Sequence, residues 1–253
     1  MRSSQLIELC KELRLPSIAQ SAERIAAEAG RQGKEPLEFL VELLQVEVDE
    51  RQERRCTRRL KEAKFPVFKS LAGFDFNRAP ELPEMRIRRL FDGDWIPSAE
   101  PVLFLGEPGT GKTHLAIALG EAAIRQGYRV KFISAAALVT ELVEAQSTEV
   151  LGRLIRRYAR VDVLIIDELA YIPLQRSDAE LLFRVLGERN ELRPIVVTTN
   201  LPFSEWTTMF PDPRLCRALV DRLVHRAHII ETGQLSQRLA EALRTQAQRR
   251  EVP

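Results

Sequence analysis

The 253-residue sequence has few cysteines and no long apolar segment, and each shortage excludes a class of protein. Its three cysteines, Cys10, Cys56 and Cys216, lie far apart and form no Cys-x-x-Cys pair. This spacing argues against a disulfide framework or a zinc site and predicts thiols in a reducing compartment. The longest apolar run, from Phe132 to Val139, is far too short to span a membrane. The first residues, MRSSQLIELCKELR, become charged too soon for a secretory signal, so we expect a cytoplasmic protein without membrane contact.

The sequence also has almost no net charge, because 38 Lys and Arg residues balance 36 Asp and Glu residues to +2. This balance excludes a polycation that binds nucleic acid through bulk charge, but it allows basic faces on individual helices. The composition, 45% hydrophobic and 29% charged, is typical of a globular protein long enough to bury a substantial core.

The N-terminal quarter of the sequence is helical in pattern. Residues 3–64 contain two glycines and two prolines, and their apolar residues recur at helical spacing. We predict helices at about 3–14, 17–30 and 35–64. The last of these carries an apolar stripe formed by Leu37, Leu40, Val41, Leu44 and Val48. We therefore predict a helical N-terminal domain over residues 1–66, followed by a linker with a short helix over 67–99.

Residues 100–253 alternate between short apolar segments and helical patterns. We predict strands at 102–106, 129–133, 162–167, 194–199 and 227–231. We predict helices at 112–126, 135–146, 148–160, 178–190, 203–210, 214–226 and from about Ser236. Apolar strands separated by helices indicate an α/β fold with a parallel sheet covered on both faces.

A phosphate-binding motif follows the first predicted strand. The sequence GEPGTGKT fits G-x-x-x-x-G-K-[ST], and a helical pattern follows it, which is the context that the motif requires. Glycines let backbone N–H groups turn toward phosphate, and the helix N-terminus adds a favourable dipole. Lys112 is expected to reach the β- and γ-phosphates of ATP, and the Thr113 hydroxyl to bind Mg²⁺. The predicted nucleotide contacts are Gly106, Pro108, Gly109, Thr110, Gly111, Lys112, Thr113, His114 and Asp167.

Polar residues at the ends of two later strands complete the predicted chemistry. The strand at 163–167 ends in Asp167 and Glu168. Asp167 is expected to bind the Mg²⁺ shell, and Glu168 to orient and deprotonate the attacking water. A second acid favours hydrolysis over transfer to a small acceptor. Asn200 ends the next strand and is a candidate sensor of the γ-phosphate, with capping of a turn as the alternative.

Arginines form three groups with two expected roles. The predicted helix before the last strand offers Arg214, Arg217, Arg222 and Arg226 as partners for a neighbouring subunit's nucleotide, and their spacing does not distinguish among them. Two other helices each place four arginines at i, i+3, i+4 and i+7. These candidate DNA contacts are Arg51, Arg54, Arg55 and Arg58, and Arg153, Arg156, Arg157 and Arg160. A solvated helix face is the alternative for both stripes.

The sequence resembles the AAA+ ATPases, and more closely the IstB-type helper ATPases of insertion sequences, which are related to DnaC helicase loaders. The segments that carry the resemblance are KFP at 64–66, DWI at 94–96, GKTHLA at 111–116, LIIDEL at 164–169, PFSEW at 202–206, DRLVH at 221–225 and GQLSQR at 233–238. Together they extend over almost the whole chain. Two departures from the family pattern are Gln237, where an aromatic residue is expected, and Thr199, where serine is commoner.

The resemblance implies a P-loop AAA+ three-layer sandwich with a five-stranded parallel sheet in the order 5-1-4-3-2. It implies an ATP-dependent homo-oligomer that binds double-stranded DNA, hydrolyses ATP at subunit interfaces and delivers target DNA to a cognate transposase. It also implies that Arg222 is the arginine finger and Arg238 a second nucleotide sensor. About twenty residues follow Glu231, which predicts a reduced or absent C-terminal lid.

Three other functions remain as alternatives. A DnaC-like replicative helicase loader built on the same module would bind a helicase and prefer single-stranded DNA. A nucleotide-gated binding module would hardly hydrolyse its ATP, which the acid pair Asp167-Glu168 argues against. A small-molecule kinase would need an acceptor pocket that the sequence does not indicate.

Overall fold

A computed structural model describes residues 2–169 and 174–233 of the chain. The chain divides into two compact units between Arg58 and Arg59. Arg238, the helix predicted from Ser236 and the predicted reduction of the lid lie outside the described residues. In the part that is described, no helix has the length and apolar character needed to cross a membrane.

The first unit is helical, as its sequence pattern predicts. Helix α1 extends over Arg2–Glu12, α2 over Pro16–Gln32, and α3 over Pro36–Ala63, whose last turn belongs to the second unit. Both prolines occupy a first helical position, where no intrahelical N–H bond is lost. The buried residues at the centre of the unit are Cys10, Ile18, Ala22, Ile25 and Leu43.

Helix α3 does not bury the apolar stripe that its sequence displays. Leu37 is 75% exposed and Val41 65% exposed, whereas Glu47 is only 3% exposed. The Glu47 carboxylate accepts hydrogen bonds from the backbone N–H groups of Ser17, at 2.8 Å, and Ile18, at 3.2 Å. The first N–H groups of a helix have no intrahelical acceptors, so this contact caps α2 from a distant helix. The need of α2 for an acceptor therefore directs the Glu47 side of α3 inward.

The segment expected to be a linker is folded within the second unit. Two short 3₁₀ helices, Leu71–Gly73 and Phe76–Arg78, precede α4 at Glu84–Leu90. Ile87 and Trp95 are almost completely buried. The predicted domain boundary after residue 66 stays a prediction, but residues 67–99 are part of a packed structure.

The second unit is built on a five-stranded parallel sheet. The strands are β1 Val102–Leu105, β2 Val130–Ser134, β3 Val163–Asp167, β4 Ile195–Thr199 and β5 His228–Glu231. All paired strands run parallel, in the order β2-β3-β4-β1-β5. This is the expected order 5-1-4-3-2 read from the opposite edge, so the predicted α/β fold is confirmed.

Helices cover both faces of this sheet and make it a three-layer sandwich. The helices of the second unit after β1 are α5 Lys112–Arg125, α6 Ala135–Ser147, α7 Leu151–Arg160, α8 Arg176–Gly187 and α9 Pro213–Val224. Helices α6 to α9 share one core with sheet residues such as Leu103 and Val197. On α5, a Cβ added at Gly120 would lie 2.6 Å from the Ile165 side chain, so this helix packs closely on the sheet. The helix predicted at 203–210 is a 3₁₀ helix at Phe203–Thr208.

A buried arginine connects the end of α7 to the segments that precede β3 and β4. Arg189 has no exposed surface and donates hydrogen bonds to four backbone carbonyls. These belong to Tyr158, at 2.6 Å, Val161, at 2.9 Å, Asp162, at 3.2 Å, and Pro194, at 2.8 Å. The acceptors lie at the end of α7 and just before β3 and β4. Arg189 thus holds both strands and the preceding helix in register.

Candidate active site

An open cleft of about 390 Å³ lies at the carboxyl edge of the sheet. Strands β1, β3 and β4 are adjacent and parallel, so the residues that follow them meet at this edge. Eight of the residues predicted from the sequence line the cleft: Pro108, Gly109, Gly111, Lys112, Thr113, His114, Glu168 and Asn200. The tertiary structure therefore brings together three separate sequence motifs.

The loop between β1 and α5 depends on glycine for both conformation and space. Gly106, Gly109 and Gly111 all have positive φ values, of 148°, 86° and 100°. A Cβ at Gly111 would also lie 2.6 Å from the ring of Phe74. The Lys112 ammonium donates to the carbonyl oxygen of Gly106, at 2.7 Å. It also donates to the carbonyl oxygen of Glu107, at 2.8 Å, so the lysine is held against the backbone of its own loop.

Thr110 anchors this loop and does not line the cleft. It is 1% exposed, and its hydroxyl lies 2.9 Å from the Glu107 carbonyl oxygen and 2.6 Å from the Thr232 hydroxyl. The Thr232 hydroxyl in turn donates to the Leu105 carbonyl at 3.1 Å. These contacts tie the loop to the end of β1 and to the residue after β5.

Hydrogen bonds arrange the two acids at the end of β3. The hydroxyls of Thr113, at 3.0 Å, and Thr198, at 2.6 Å, donate to one oxygen of Asp167. The Thr198 hydroxyl also accepts from the backbone N–H of Glu168, at 2.8 Å. Glu168 has a φ of 58°, in the left-handed region that costs a non-glycine residue about 1–2 kcal/mol. As a result Asp167 lies 8% exposed behind Thr113, while Glu168 lines the cleft.

Asn200 presents an unsatisfied polar atom at the cleft. Its Oδ1 is buried and has no hydrogen-bond partner among the described residues. The neighbouring Thr199 hydroxyl, not Asn200, accepts from the backbone N–H of Leu201, at 3.2 Å, and forms the turn. Since buried polar groups are almost always paired, the position of Asn200 fits an amide that pairs with a ligand or its water.

One wall of the cleft comes from residues that no sequence motif indicated. Val67, Lys69 and Arg78 line it, although they belong to the segment expected to be a linker. The His114 ring lies edge-on to Phe74 at 5.2 Å, and its Nε2 lies 2.9 Å from the carbonyl of Ser70. The four phenylalanines between positions 65 and 76 were the available signal that this segment is packed.

Burial lowers the pKa of His114, and the charge of Lys69 adds to this effect, while the hydrogen bond to Ser70 opposes it. The lowered pKa favours the uncharged imidazole. Through its contacts with Ser70 and Phe74, His114 connects the phosphate loop to the segment before it.

The residues at this edge fit Mg²⁺ held together with a nucleotide. Among the described residues, no three His, Cys, Asp or Glu side chains come close enough to hold a metal ion by themselves. Mg²⁺ commonly binds one or two protein oxygens and completes its shell with substrate phosphates and water. The Thr113 hydroxyl and the Asp167 carboxylate supply two such oxygens beside the phosphate loop.

The predicted arginine finger lies away from this cleft. Arg222 is on α9, and its guanidinium carbon lies 4.2 Å from the centre of the Phe183 ring. Arg226, one alternative, is ion-paired with Glu100 at 3.1 Å. Arg217, another, donates to the Pro213 carbonyl of its own helix.

The first arginine stripe is partly used within the helical unit. Arg51 donates to the buried Glu47 carboxylate at 2.7 Å, and Arg54 donates to the Ser17 hydroxyl at 2.9 Å. Arg55 and Arg58 are exposed on the same helix. Half of the predicted stripe therefore stabilises the packing of α2 against α3.

The second arginine stripe, on α7, is more exposed. Ile155 and Tyr158, which are not part of the stripe, are the buried residues of this helix. Arg157 pairs with Glu141 at 2.8 Å. The other three members, Arg153, Arg156 and Arg160, are exposed and form no ion pair with any residue that the structure describes.

The fold and the site define a P-loop ATP-binding domain with the AAA+ fold. The chain is similar in structure to DnaI, with a TM-score of 0.56 and 17% identity over 64% of this chain and 90% of DnaI. It is also similar to AMPPCP-bound DnaA from Aquifex aeolicus, with a TM-score of 0.54 and 21% identity over 64% of this chain and 49% of DnaA. At such low identity, these similarities establish a shared fold.

Sequence comparison identifies the family. Residues 8–245 match the model of the IstB-like ATP binding proteins, and the chain belongs to that family. It is 39% identical to an insertion-sequence (IS5376) ATP-binding protein of Geobacillus stearothermophilus over 92% of this chain and 93% of the relative. It is 36% identical to an IS21 ATP-binding protein of Pseudomonas aeruginosa, over 94% of this chain and 89% of the relative. The resemblance found in the motifs is therefore confirmed.

Proposed function

We propose that this protein is an Mg²⁺-dependent ATPase of DNA transposition. It oligomerises on double-stranded DNA, hydrolyses ATP at subunit interfaces and delivers target DNA to its transposase. The observation that carries the ATPase assignment is the hydrogen-bonded chain from Thr113 through Asp167 and Thr198 to Glu168, beside Lys112. The role in transposition is supported by relatives named as insertion-sequence ATP-binding proteins.

The phosphate loop and Lys112 bind the triphosphate in this proposal. Gly109 and Gly111 turn backbone N–H groups toward it, and Lys112 exchanges its contacts with the Gly106 and Glu107 carbonyls for the β- and γ-phosphate oxygens. Bound Mg²⁺ supplies positive charge that neutralises the phosphates. Thr113 and Asp167 would hold it.

Glu168 accepts a proton from the attacking water, and Asn200 helps to place that water. The left-handed backbone at Glu168 directs its carboxylate into the cleft, and the bond from its N–H to Thr198 holds that conformation. The unpaired Oδ1 of Asn200 lies at the same edge of the sheet. A positioned base lowers the barrier to water attack because the proton leaves as the new bond forms.

Arg222 acts on the nucleotide of an adjacent subunit, since it does not line the cleft of its own chain. Its positive charge stabilises the negative charge that develops on the transferred phosphoryl group. Arg238 is assigned as the second sensor on the family resemblance alone.

The exposed arginines supply the DNA contacts. Arg153, Arg156 and Arg160 on α7 have guanidinium groups that no described carboxylate neutralises, and Arg55 and Arg58 extend from α3. A few arginines on one subunit bind weakly, but an array of subunits repeats them along the DNA backbone. ATP-dependent assembly therefore controls DNA affinity in this proposal.

Two active-site variants test the proposal. Lys112→Ala should abolish nucleotide binding, measured with a fluorescent ATP analogue. Glu168→Gln should bind ATP but lose turnover and form a long-lived complex with duplex DNA. Glu188→Gln, an equal charge change at an exposed residue outside the cleft, serves as the control. Unchanged phosphate release by Glu168→Gln would contradict its role as the base.

The DNA and protein partners that stimulate ATP turnover distinguish a role in transposition from a role in helicase loading. Purified protein is assayed for ATP turnover with duplex DNA, with single-stranded DNA, with an insertion-sequence transposase and with a replicative helicase. We expect stimulation by duplex DNA and the transposase. Stimulation by single-stranded DNA and the helicase alone would instead identify a loader.

A further inference from the structure

Helix α8 forms a platform under Arg222. The guanidinium carbon of Arg222 lies 4.2 Å from the centre of the Phe183 ring. A Cβ added at Gly187 would lie 2.7 Å from the Arg222 Nη1, closer than a Cβ can approach. Phe183 and Gly187 are four residues apart on α8, and therefore share one side of the helix. The aromatic ring supports the guanidinium, and the missing side chain at Gly187 makes room for it.

This contact uses the face of the guanidinium and leaves its donors available. A cation–π contact engages the flat face of arginine, whereas its N–H donors point outward in the plane. Arg222 makes no hydrogen bond or ion pair with any residue in the described ranges, 2–169 and 174–233. The neighbouring Arg226 and Arg217 both have oxygen partners. Of these three arginines, which lie on α9 or just after it, Arg222 is the one that packs on an aromatic ring while its N–H donors have no partner in the described ranges.

We propose that Phe183 and Gly187 are positioning residues that hold Arg222 in the orientation in which it reaches the neighbouring subunit's γ-phosphate. An arginine side chain that is not held by neighbours samples many rotamers, and this freedom is lost when it binds phosphate. Stacking on Phe183 removes much of that freedom before the subunits meet. This inference rests on the proposed function, because it requires that Arg222 acts across a subunit interface.

Gly187→Ala tests the platform without weakening the helix. Alanine is the better helix former, so the melting temperature should stay the same or rise. The added methyl group displaces the guanidinium, and kcat for DNA-stimulated ATP turnover should fall about tenfold, the rate equivalent of one cation–π contact. KM for ATP should change little, because an arginine that stabilises charge developing in the transition state adds little to binding of the ground state. Gly30→Ala on α2, where an added Cβ meets no atom within 4 Å, is the matched control.

Replacing Phe183 and mixing subunits separates positioning from folding. Phe183→Leu should lower kcat about tenfold, and Phe183→Tyr, which keeps the ring, should restore it. Lys112→Ala subunits cannot turn over ATP but retain an intact platform. Adding them to Phe183→Leu protein should raise turnover per Phe183→Leu subunit, whereas the double variant Lys112→Ala/Phe183→Leu should not.

The outcomes distinguish this inference from the function on which it rests. Arg222→Ala should lower kcat by about 10³-fold or more, and unchanged turnover in that variant would overturn the role of Arg222 itself. Suppose that Arg222→Ala is inactive while Gly187→Ala and Phe183→Leu keep wild-type kcat. The role of Arg222 in hydrolysis is then supported, and the positioning role of Phe183 and Gly187 is refuted. A loss in Phe183→Leu that Lys112→Ala subunits do not relieve also refutes it, because the defect then lies within the subunit's own site.

Discussion

Replacement of Thr198 by valine should disable the site without removing any residue of the recognised motifs. Thr198 has no exposed surface, and its hydroxyl joins the two acids of the site. It donates to Asp167 at 2.6 Å and accepts from the Glu168 N–H at 2.8 Å. Valine has nearly the same shape and keeps the packing of β4, so the substitution isolates the hydroxyl.

The expected magnitude follows from these two bonds. The bond to the Asp167 carboxylate is charge-assisted and contributes about 1.5–3 kcal/mol, and the unpaired Glu168 N–H costs about 1 kcal/mol more. The free energy of unfolding should therefore fall by about 2.5–4 kcal/mol. Glu168 also loses the contact that holds its left-handed backbone. A shift of about 1 Å in the carboxylate is enough to lower kcat by about 10²-fold.

Urea denaturation and a phosphate-release assay measure the two effects. Thr198→Ser keeps the hydroxyl and should retain most of the activity and stability. Thr140→Val is a matched control, because it removes a hydroxyl that bonds only to a carbonyl of its own helix, α6. Wild-type kcat and a wild-type urea midpoint in Thr198→Val would refute this role of the Thr198 hydroxyl.

Three further predictions concern stability and DNA binding. Burial alone would raise the pKa of Glu47, but its hydrogen bonds lower that pKa overall, so the ionised carboxylate stabilises the fold fully above pH 4.5 and stops doing so as pH falls through the lowered pKa. Glu47→Gln should therefore flatten the acid side of the curve of unfolding free energy against pH, measured by urea denaturation. An unchanged slope would contradict this role of Glu47. Arg189→Met should lower the free energy of unfolding by about 4 kcal/mol, because four carbonyls lose their hydrogen-bond donor. An unchanged thermal melting curve would contradict this stabilising role of Arg189. Alanine at the three exposed α7 arginines, Arg153, Arg156 and Arg160, should reduce the slope of log K against log salt for duplex DNA by up to about 3, measured by fluorescence anisotropy in ATP. An unchanged slope would exclude DNA contact by this side of α7.

The parts of the site that the sequence predicts are those formed by consecutive residues. The phosphate loop and the pair Asp167-Glu168 each depend on a few adjacent positions at the end of an apolar strand. Five parallel strands separated by helices allow few arrangements, and the strand order implied by the family resemblance is the one observed. Local pattern and family motif together were therefore sufficient for the fold and for placing the phosphate loop and Glu168 at one edge of the sheet.

Periodicity failed where a polar contact between distant segments decided the packing. The apolar stripe of α3 predicts a buried face at Leu37 and Val41, but Glu47 faces the N-terminus of α2 instead. Arg51 and Arg54, two of four candidate DNA contacts, serve the same contact. The apolar pattern of one helix contains no information about unsatisfied N–H groups on another helix. It therefore indicated the wrong side of α3 as the buried one.

The sequence by itself determined the class of fold, the phosphate loop and the acids, because each is specified by neighbours in the chain. The tertiary structure alone decided which distant side chains complete the site. Thr198 joins the two acids, and the segment around Phe74 forms one wall of the cleft. Phe183 and Gly187 distinguish Arg222 from the arginines near it. These contacts join residues tens of positions apart, and only the packing of strands and helices sets such distances.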